Sequence, residues 1–312
     1  MEPGCLGVAE GVRTFADLRK RACAAGPRRV AVVLADDEVA LTAASDALRA
    51  GIALPVLIGD EPWIRARAQA LGLTELLAKA EFVSAAGNAA ETAVCMAREC
   101  AVDVLMKGHL RTDELLRPVL DKEIGLRTGR LLCDVAFFEM YGEDGQRLVG
   151  LTDGGLIVAP TLEQKKQIVL NAIEILHCLG IRRPKIAILS AVEVVTDAMP
   201  STLDARALTE MGVAGEFGEA DVFGPLALDN ALQEWAAKAK GIENSVAGHA
   251  DCLVVPNIEA GNLLAKAIIF LAGSEFGHVV VGAKVPILIP SRVESAQNKV
   301  NAIALGVLNA SR

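Results

Sequence analysis

Apolar and polar positions follow two rhythms along this chain. Short apolar runs rich in β-branched residues alternate with longer stretches in which apolar positions recur every three or four residues. The first rhythm predicts buried strands, at 28–36, 54–58, 102–106, 131–140, 150–158, 185–189, 252–255, 279–281 and 285–289. The second predicts helices, at 38–50, 89–100, 113–120, 162–179, 201–211, 229–240, 261–271 and 295–308. Gly51 and Gly180 close two of them, Asn88 is set to cap another, and Thr112 or Asp113 caps the helix at 113–120. Repeated β/α alternation of this kind implies an α/β fold with a mainly parallel sheet and helices on both faces.

In open sheets of that class, ligands bind beyond the carboxyl ends of strands. The runs at 252–255 and 285–289 both end in residues that a core has no use for: Asn257, Glu259 and Asn262 after one, Ser291 and Arg292 after the other. A guanidinium there offers a fixed fork of donors matched to phosphate or carboxylate oxygens, which points to an anionic substrate. A second candidate is the loop after 102–106. Gly108 permits a close turn, Lys107, His109 and Arg111 supply positive charge, and Thr112 puts a hydroxyl at a helix start, where anions are favoured. Softer candidates are Asp153, which faces the cleft or makes the turn into Gly154-Gly155, Glu193 beyond another strand end, and Lys284 between apolar runs. Asn262 either caps its helix or contacts ligand. His177 lies within the helix at 162–179 and reads as structural.

Composition narrows the classes. At 312 residues the chain exceeds one ordinary core, so two domains are expected, and 52% hydrophobic content with 4% aromatics fits an Ala/Val/Leu/Ile-rich α/β enzyme. A net charge of −8 and a scarcity of stacking side chains exclude a nucleic-acid binder. Seven scattered cysteines with no CxxC pair fit a reducing cytoplasm, and neither a leader-like amino terminus nor an uninterrupted apolar span predicts export or membrane insertion. No GxxxxGK[ST], no strand-borne GxGxxG and no HExxH is present, so a P-loop, a standard dinucleotide site and a metal centre are disfavoured.

Several segments, in order, resemble the phosphate acetyltransferase/phosphate butyryltransferase family: VLMKGHLRTDELLRPVL, LTDGGLIVAPTLEQKKQIVLNA, ILSAVEVV with MPSTLDA, FGPLALDNAL, and ADCLVVPNIEAGNLLAKAI followed by GAKVPILIPSR. The last two blocks are closer to the butyryltransferase branch. The resemblance implies reversible acyl transfer between coenzyme A and inorganic phosphate, with acyl-CoA as substrate and no tightly bound cofactor or metal. It also implies two α/β domains of the isocitrate/isopropylmalate dehydrogenase-like type, the active site in the interdomain cleft, and a homodimer or larger homo-oligomer. The first domain is expected at 1–142 plus 285–312 and the second at 143–284, with the polar turn at 142–146 as the boundary. Arg292 resembles the family's active-site arginine, and Ser291 the serine that hydrogen-bonds the oxyanion or phosphate. Lys107, His109, Arg111, Thr112, Asn257, Asn262 and Lys284 are expected to bind substrate or phosphate, with Asp153 and Glu193 at the cleft.

One departure stands out. The acetyltransferase branch places an aspartate, taken as the base for the thiol, where this chain has Asn298, and an amide cannot act as a base. Glu294 is close in sequence, either as the replacement or as a first-turn acid favoured by the helix dipole. The general base is therefore left open, and with it a rival reading as a catalytically impaired, coenzyme A-binding regulatory protein. A hydroxy-acid dehydrogenase is the other rival, and the metal-binding carboxylate cluster it requires is not visible in the sequence.

Overall fold

The computed structural model describes residues 11–85, 87–142 and 145–311. The amino-terminal stretch read above for a leader, with Cys5, lies outside the described residues, as do Glu143 and Asp144 of the proposed boundary turn. In chain order the elements are α1 (Phe15–Ala25), β1 (Arg28–Val33), α2 (Glu38–Arg49), β2 (Ala53–Gly59), α3 (Glu61–Ala70), α4 (Thr74–Lys79), β3 (Glu81–Ser84), α5 (Ala89–Arg98), β4 (Val104–Lys107) and α6 (Thr112–Val119). Then follow β5 (Cys133–Gly142), β6 (Gly145–Thr152), α7 (Leu162–Cys178), β7 (Lys185–Leu189), α8 (Pro200–Val213), β8 (Asp221–Leu226), α9 (Leu228–Leu232), α10 (Glu234–Ala239), β9 (Cys252–Val254), α11 (Ile258–Phe270), β10 (Phe276–Val281), β11 (Ile287–Leu288) and α12 (Ala296–Ala310).

The strands join in one eleven-stranded sheet, ordered β3-β2-β1-β4-β11-β10-β5-β6-β9-β7-β8. Both wings are parallel, as the β/α alternation predicts, but β11, β10, β5 and β6 at the centre pair antiparallel. The wings therefore run in opposite directions. Pairings Met106↔Leu288, Val280↔Ile287 and Val135↔Thr152 set them so that the carboxyl ends of both wings reach the middle of the sheet. Loops after β4 and β11 arrive from one side, loops after β6 and β9 from the other.

Local departures from the sequence reading have identifiable causes. The apolar run at 150–158 leaves the sheet after Thr152, where the buried carboxylate of Asp153 accepts N–H bonds from Gly155 and Leu156 and turns the chain. The helix expected at 229–240 is two short ones, broken by extended backbone at Gln233. Arg111, not Thr112 or Asp113, occupies the cap of α6, and its N–H is taken by Glu114 at 2.8 Å. At α5, Asn88 is the cap residue without a capping hydrogen bond.

The helices cover the sheet unequally. On one face a continuous core runs its whole width, joining α1, α2, α7, α8 and α12 to side chains such as Val32, Val135, Phe137 and Ile188. The opposite face carries two separate cores. One lies under α5 and α6 and includes Val33, Leu105, Val280 and Ile287; the other lies under the α9–α11 region and includes Ala136, Leu151, Leu253 and Phe276. The seam between them crosses β10 and β5. Among the described residues, no helix is long and apolar enough to cross a membrane.

Candidate active site

At that seam the sheet opens into a cleft of about 610 Å³. Its cationic edge comes from the β4 and β11 loops. Lys107 is the last residue of β4, and β11 pairs beside β4, so Ser291 and Arg292 emerge next to it. Thr112 and Arg111 bring the start of α6 to the same edge. Lys107 is buried, and its ammonium is pushed below the ordinary lysine value, first by burial and then by the charges of Lys299 and Arg292, with Glu294 and Asp37 opposing. Lys299, on the first turn of α12, is itself buried and donates to the Ser291 carbonyl at 2.9 Å. That bond and the Ser291 N–H to Glu294 Oε1, at 2.8 Å, fix the Ser291–Arg292 turn from both ends.

The opposite wall carries most of the apolar lining, with Asn262 and Lys266 of α11 at its rim. Ala136, Leu151 and Phe276 rise from the sheet face, and Ala265 and Ile269 descend from α11. That helix approaches closely because Gly261 abuts the β6 loop: a Cβ there would lie 2.8 Å from Gly154 Cα.

Between the two walls sits a group that the sequence reading missed. His278 Nδ1 lies 2.9 Å from Asp134 Oδ1, and its Nε2 lies 3.8 Å from Glu294 Oε1. Asp134 and His278 are diagonal neighbours on one face of the β5–β10 pair, since His278 registers with Ala136. Burial alone would push the imidazole down. The Asp134 carboxylate and, beyond it, Glu294 outweigh burial against the opposing Lys299, and hold the ring up at about 9. Neither His278 Nε2 nor Glu294 Oε2 has a hydrogen-bond partner, although both are buried and both residues line the cleft. Gly155 makes room for the carboxylate, because a Cβ there would stand 2.6 Å from Asp134 Oδ2. Behind it Asp153 accepts the N–H groups of Asp134, Gly155 and Leu156, and burial, with the charge of Asp134, raises it to about 6.

Of the residues proposed from sequence, Lys107, Arg111, Thr112, Asn262, Ser291, Arg292 and Glu294 line this one cleft. Asn262 also donates to the Gly154 carbonyl at 3.2 Å. The others lie elsewhere. Asn257 is the N-cap of α11, its side chain accepting from Ala260 N–H at 3.0 Å, so the capping role falls to it and not to Asn262. His109 turns out toward Asp36 at 3.3 Å and is half exposed. Glu193 pairs with Lys240 at 2.9 Å beyond β7. Lys284 is exposed, held through its backbone to Leu126, and Glu259 is exposed as well. Asn298 accepts the Phe276 N–H at 3.2 Å and is buried, so it ties α12 to β10. Asp134, His278 and Lys299 were legible only as charged residues interrupting apolar runs.

A family model described as "Phosphate acetyl/butaryl transferase" matches residues 77–307. The chain is 39% identical over 301 residues to a phosphate butyryltransferase of Clostridium acetobutylicum, covering 95% of this chain and 98% of that one. It is 40% identical over 278 residues to a phosphate acetyltransferase of Rhizobium meliloti, covering 88% and 87% respectively. Among solved structures, a branched-chain phosphotransacylase from Enterococcus faecalis V583 superposes with a TM-score of 0.80 at 30% identity, over 91% of this chain and 99% of that one.

Proposed function

Because the chain belongs to the phosphate acetyltransferase/butyryltransferase family, and so moves acyl groups between coenzyme A and inorganic phosphate, we propose that the seam cleft is its active site and butyryl its preferred acyl group. One observation carries this: a cationic edge and an apolar wall face each other across a single cleft. Arg292, Lys107 and the start of α6 hold phosphate at the edge, and Arg292 does so bidentately. Ser291 and Arg292 meet the negative charge that develops on the thioester oxygen when phosphate adds to the carbonyl. Such stabilisation is usually the largest catalytic contribution. Glu294 holds their turn in place. Positioning both substrates in one cleft supplies much of the rest, and no covalent enzyme nucleophile is required.

Ala136, Leu151, Phe276 and Ile269 form the acyl pocket in this reading, an apolar lining suited to a short alkyl chain. We assign residues 1–142 with 285–312 to one domain and 143–284 to the other, in a dehydrogenase-like two-domain arrangement. The packing of α12 against α1 and α2 supports this division. Self-association is proposed through α11, whose outer face leaves Leu263, Phe270 and Leu271 exposed. The free thiols of Cys23, Cys95, Cys100, Cys133, Cys178 and Cys252 support a cytoplasmic setting. The test is kcat/KM for acetyl-, propionyl- and butyryl-CoA with phosphate. The reading predicts the highest value for butyryl, and a maximum at acetyl would overturn the acyl assignment.

A further inference from the structure

Resting on that reading of the cleft, we propose that His278 is the proton carrier of the reaction, with Asp134 anchoring its ring, in the role that Asn298 cannot fill. Three observations support this. The imidazole is nine-tenths buried and lines the cleft, yet its Nε2 has no hydrogen-bond partner, Glu294 Oε1 standing off at 3.8 Å. Its other nitrogen is fixed by Asp134, which accepts from Nδ1 and so commits Nε2 to the substrate side. It lies between the cationic edge and the apolar wall, where the carbonyl–sulfur bond must sit if phosphate and acyl chain occupy those two sides.

The step balances without any further reactant. A hydrogen phosphate oxygen adds to the thioester carbon, the carbon–sulfur bond breaks, and the departing thiolate takes the proton from Nε2. The neutral imidazole then removes the remaining proton from the transferred phosphoryl group, giving acyl phosphate, free coenzyme A and the original imidazolium. In reverse, the same ring protonates the acyl phosphate and then deprotonates the thiol. The charges facing the ring are Asp134 from β5, Glu294 from the turn before α12 and Lys299 from α12. Together they hold it near 9, in the range where free thiols titrate, so proton exchange between ring and thiol is not strongly uphill in either direction. Asp153 acts behind them as a positioning residue, since it holds the Asp134 backbone N–H.

The experiment is the rate of coenzyme A acylation from butyryl phosphate between pH 6.5 and 9.5, for the wild-type enzyme, His278→Gln and Glu294→Gln. The wild type should be level between pH 7 and 8.5. His278→Gln should be slower by about a hundredfold at pH 7, the usual scale of one general acid–base group, and should regain about tenfold per pH unit as thiolate accumulates. Its affinity for butyryl-CoA should hold. Glu294→Gln should run at a reduced rate with no recovery as pH rises. A His278→Gln profile parallel to wild type, whether lowered or not, would overturn the proposal, as would a Glu294→Gln variant that alone shows rescue at high pH. Should His278→Gln fail to fold, imidazole nitrogen NMR of the wild type decides: coenzyme A should move the His278 Nε2 resonance, and an unmoved resonance refutes contact. Wild-type thiol release from butyryl-CoA with and without phosphate separates the two levels. Phosphate-independent release would overturn the acyl-transfer reading and this proposal with it. Phosphate-dependent release beside an unaffected His278→Gln would overturn the proposal alone.

Discussion

The two faces of the central strands share one backbone and do different work. On β5, Cys133, Val135 and Phe137 point into the unbroken core, while Asp134 and Ala136 point into the cleft. On β10, Val279 and Val281 join the same core, and Phe276 and His278 face the cleft. Alternation with a period of two lets one strand pair bind the fold together on one side and carry charge on the other. The charged side is possible because it lies at the seam, where neither flanking core closes over it. A buried charge is costly unless it is paired, and here Asp134, His278 and Glu294 offset one another while leaving two polar atoms free for a substrate.

This contrast can be broken from either side. The largest expected effect is on the closed face. Phe137→Ala removes a fully buried ring, and denaturant unfolding should report a loss of about 3–5 kcal/mol. Activity per folded molecule should stay at the wild-type level, since Phe137 points away from the cleft. On the open face the order reverses. Arg292→Lys should reduce kcat/KM for phosphate at least tenfold, about 1.4 kcal/mol in the transition state, because an ammonium cannot reproduce the guanidinium fork. Its unfolding free energy should move by no more than about 0.5 kcal/mol, as expected of an exposed side chain.

A third variant probes the apolar wall. Ala136→Leu fills part of the proposed acyl pocket, so the ratio of kcat/KM for butyryl-CoA over acetyl-CoA should fall by about tenfold, in line with the worth of one or two methylenes in such a pocket. A further probe is stability against pH. His278 is held near 9, above its ordinary value of 6.5, so protonation stabilises the folded state. That contribution is complete below about pH 6.5 and is lost as pH rises through about 9. Melting curves of the wild type should show this decline, and those of His278→Gln should lack it.

Much of the cationic edge was legible in the sequence because it follows strands directly. Lys107, Ser291 and Arg292 stand where apolar runs end, and the parallel pairing of β4 with β11 brings them together. The remainder depended on pairings that no local pattern encodes. The antiparallel centre places β10 beside β5 across more than a hundred residues, and only that register makes His278 a neighbour of Asp134. His109 misled because proximity to Lys107 in sequence is not proximity to the cleft: its ring turns toward Asp36. Asn257 was expected to bind substrate, but α11 starts at Ile258 and takes it as its cap, which leaves Asn262 of the pair on the cleft. The missing base at Asn298 was visible at once, whereas its replacement needed the fold.

The most direct measurement is the release of thiol from butyryl-CoA by the wild-type enzyme as phosphate is varied from none to saturation. A cleft that seats phosphate at its cationic edge predicts release that rises from near zero and saturates with phosphate, with butyryl phosphate formed in equal amount. Release at full rate in phosphate-free buffer, or thiol appearing without acyl phosphate, would contradict it.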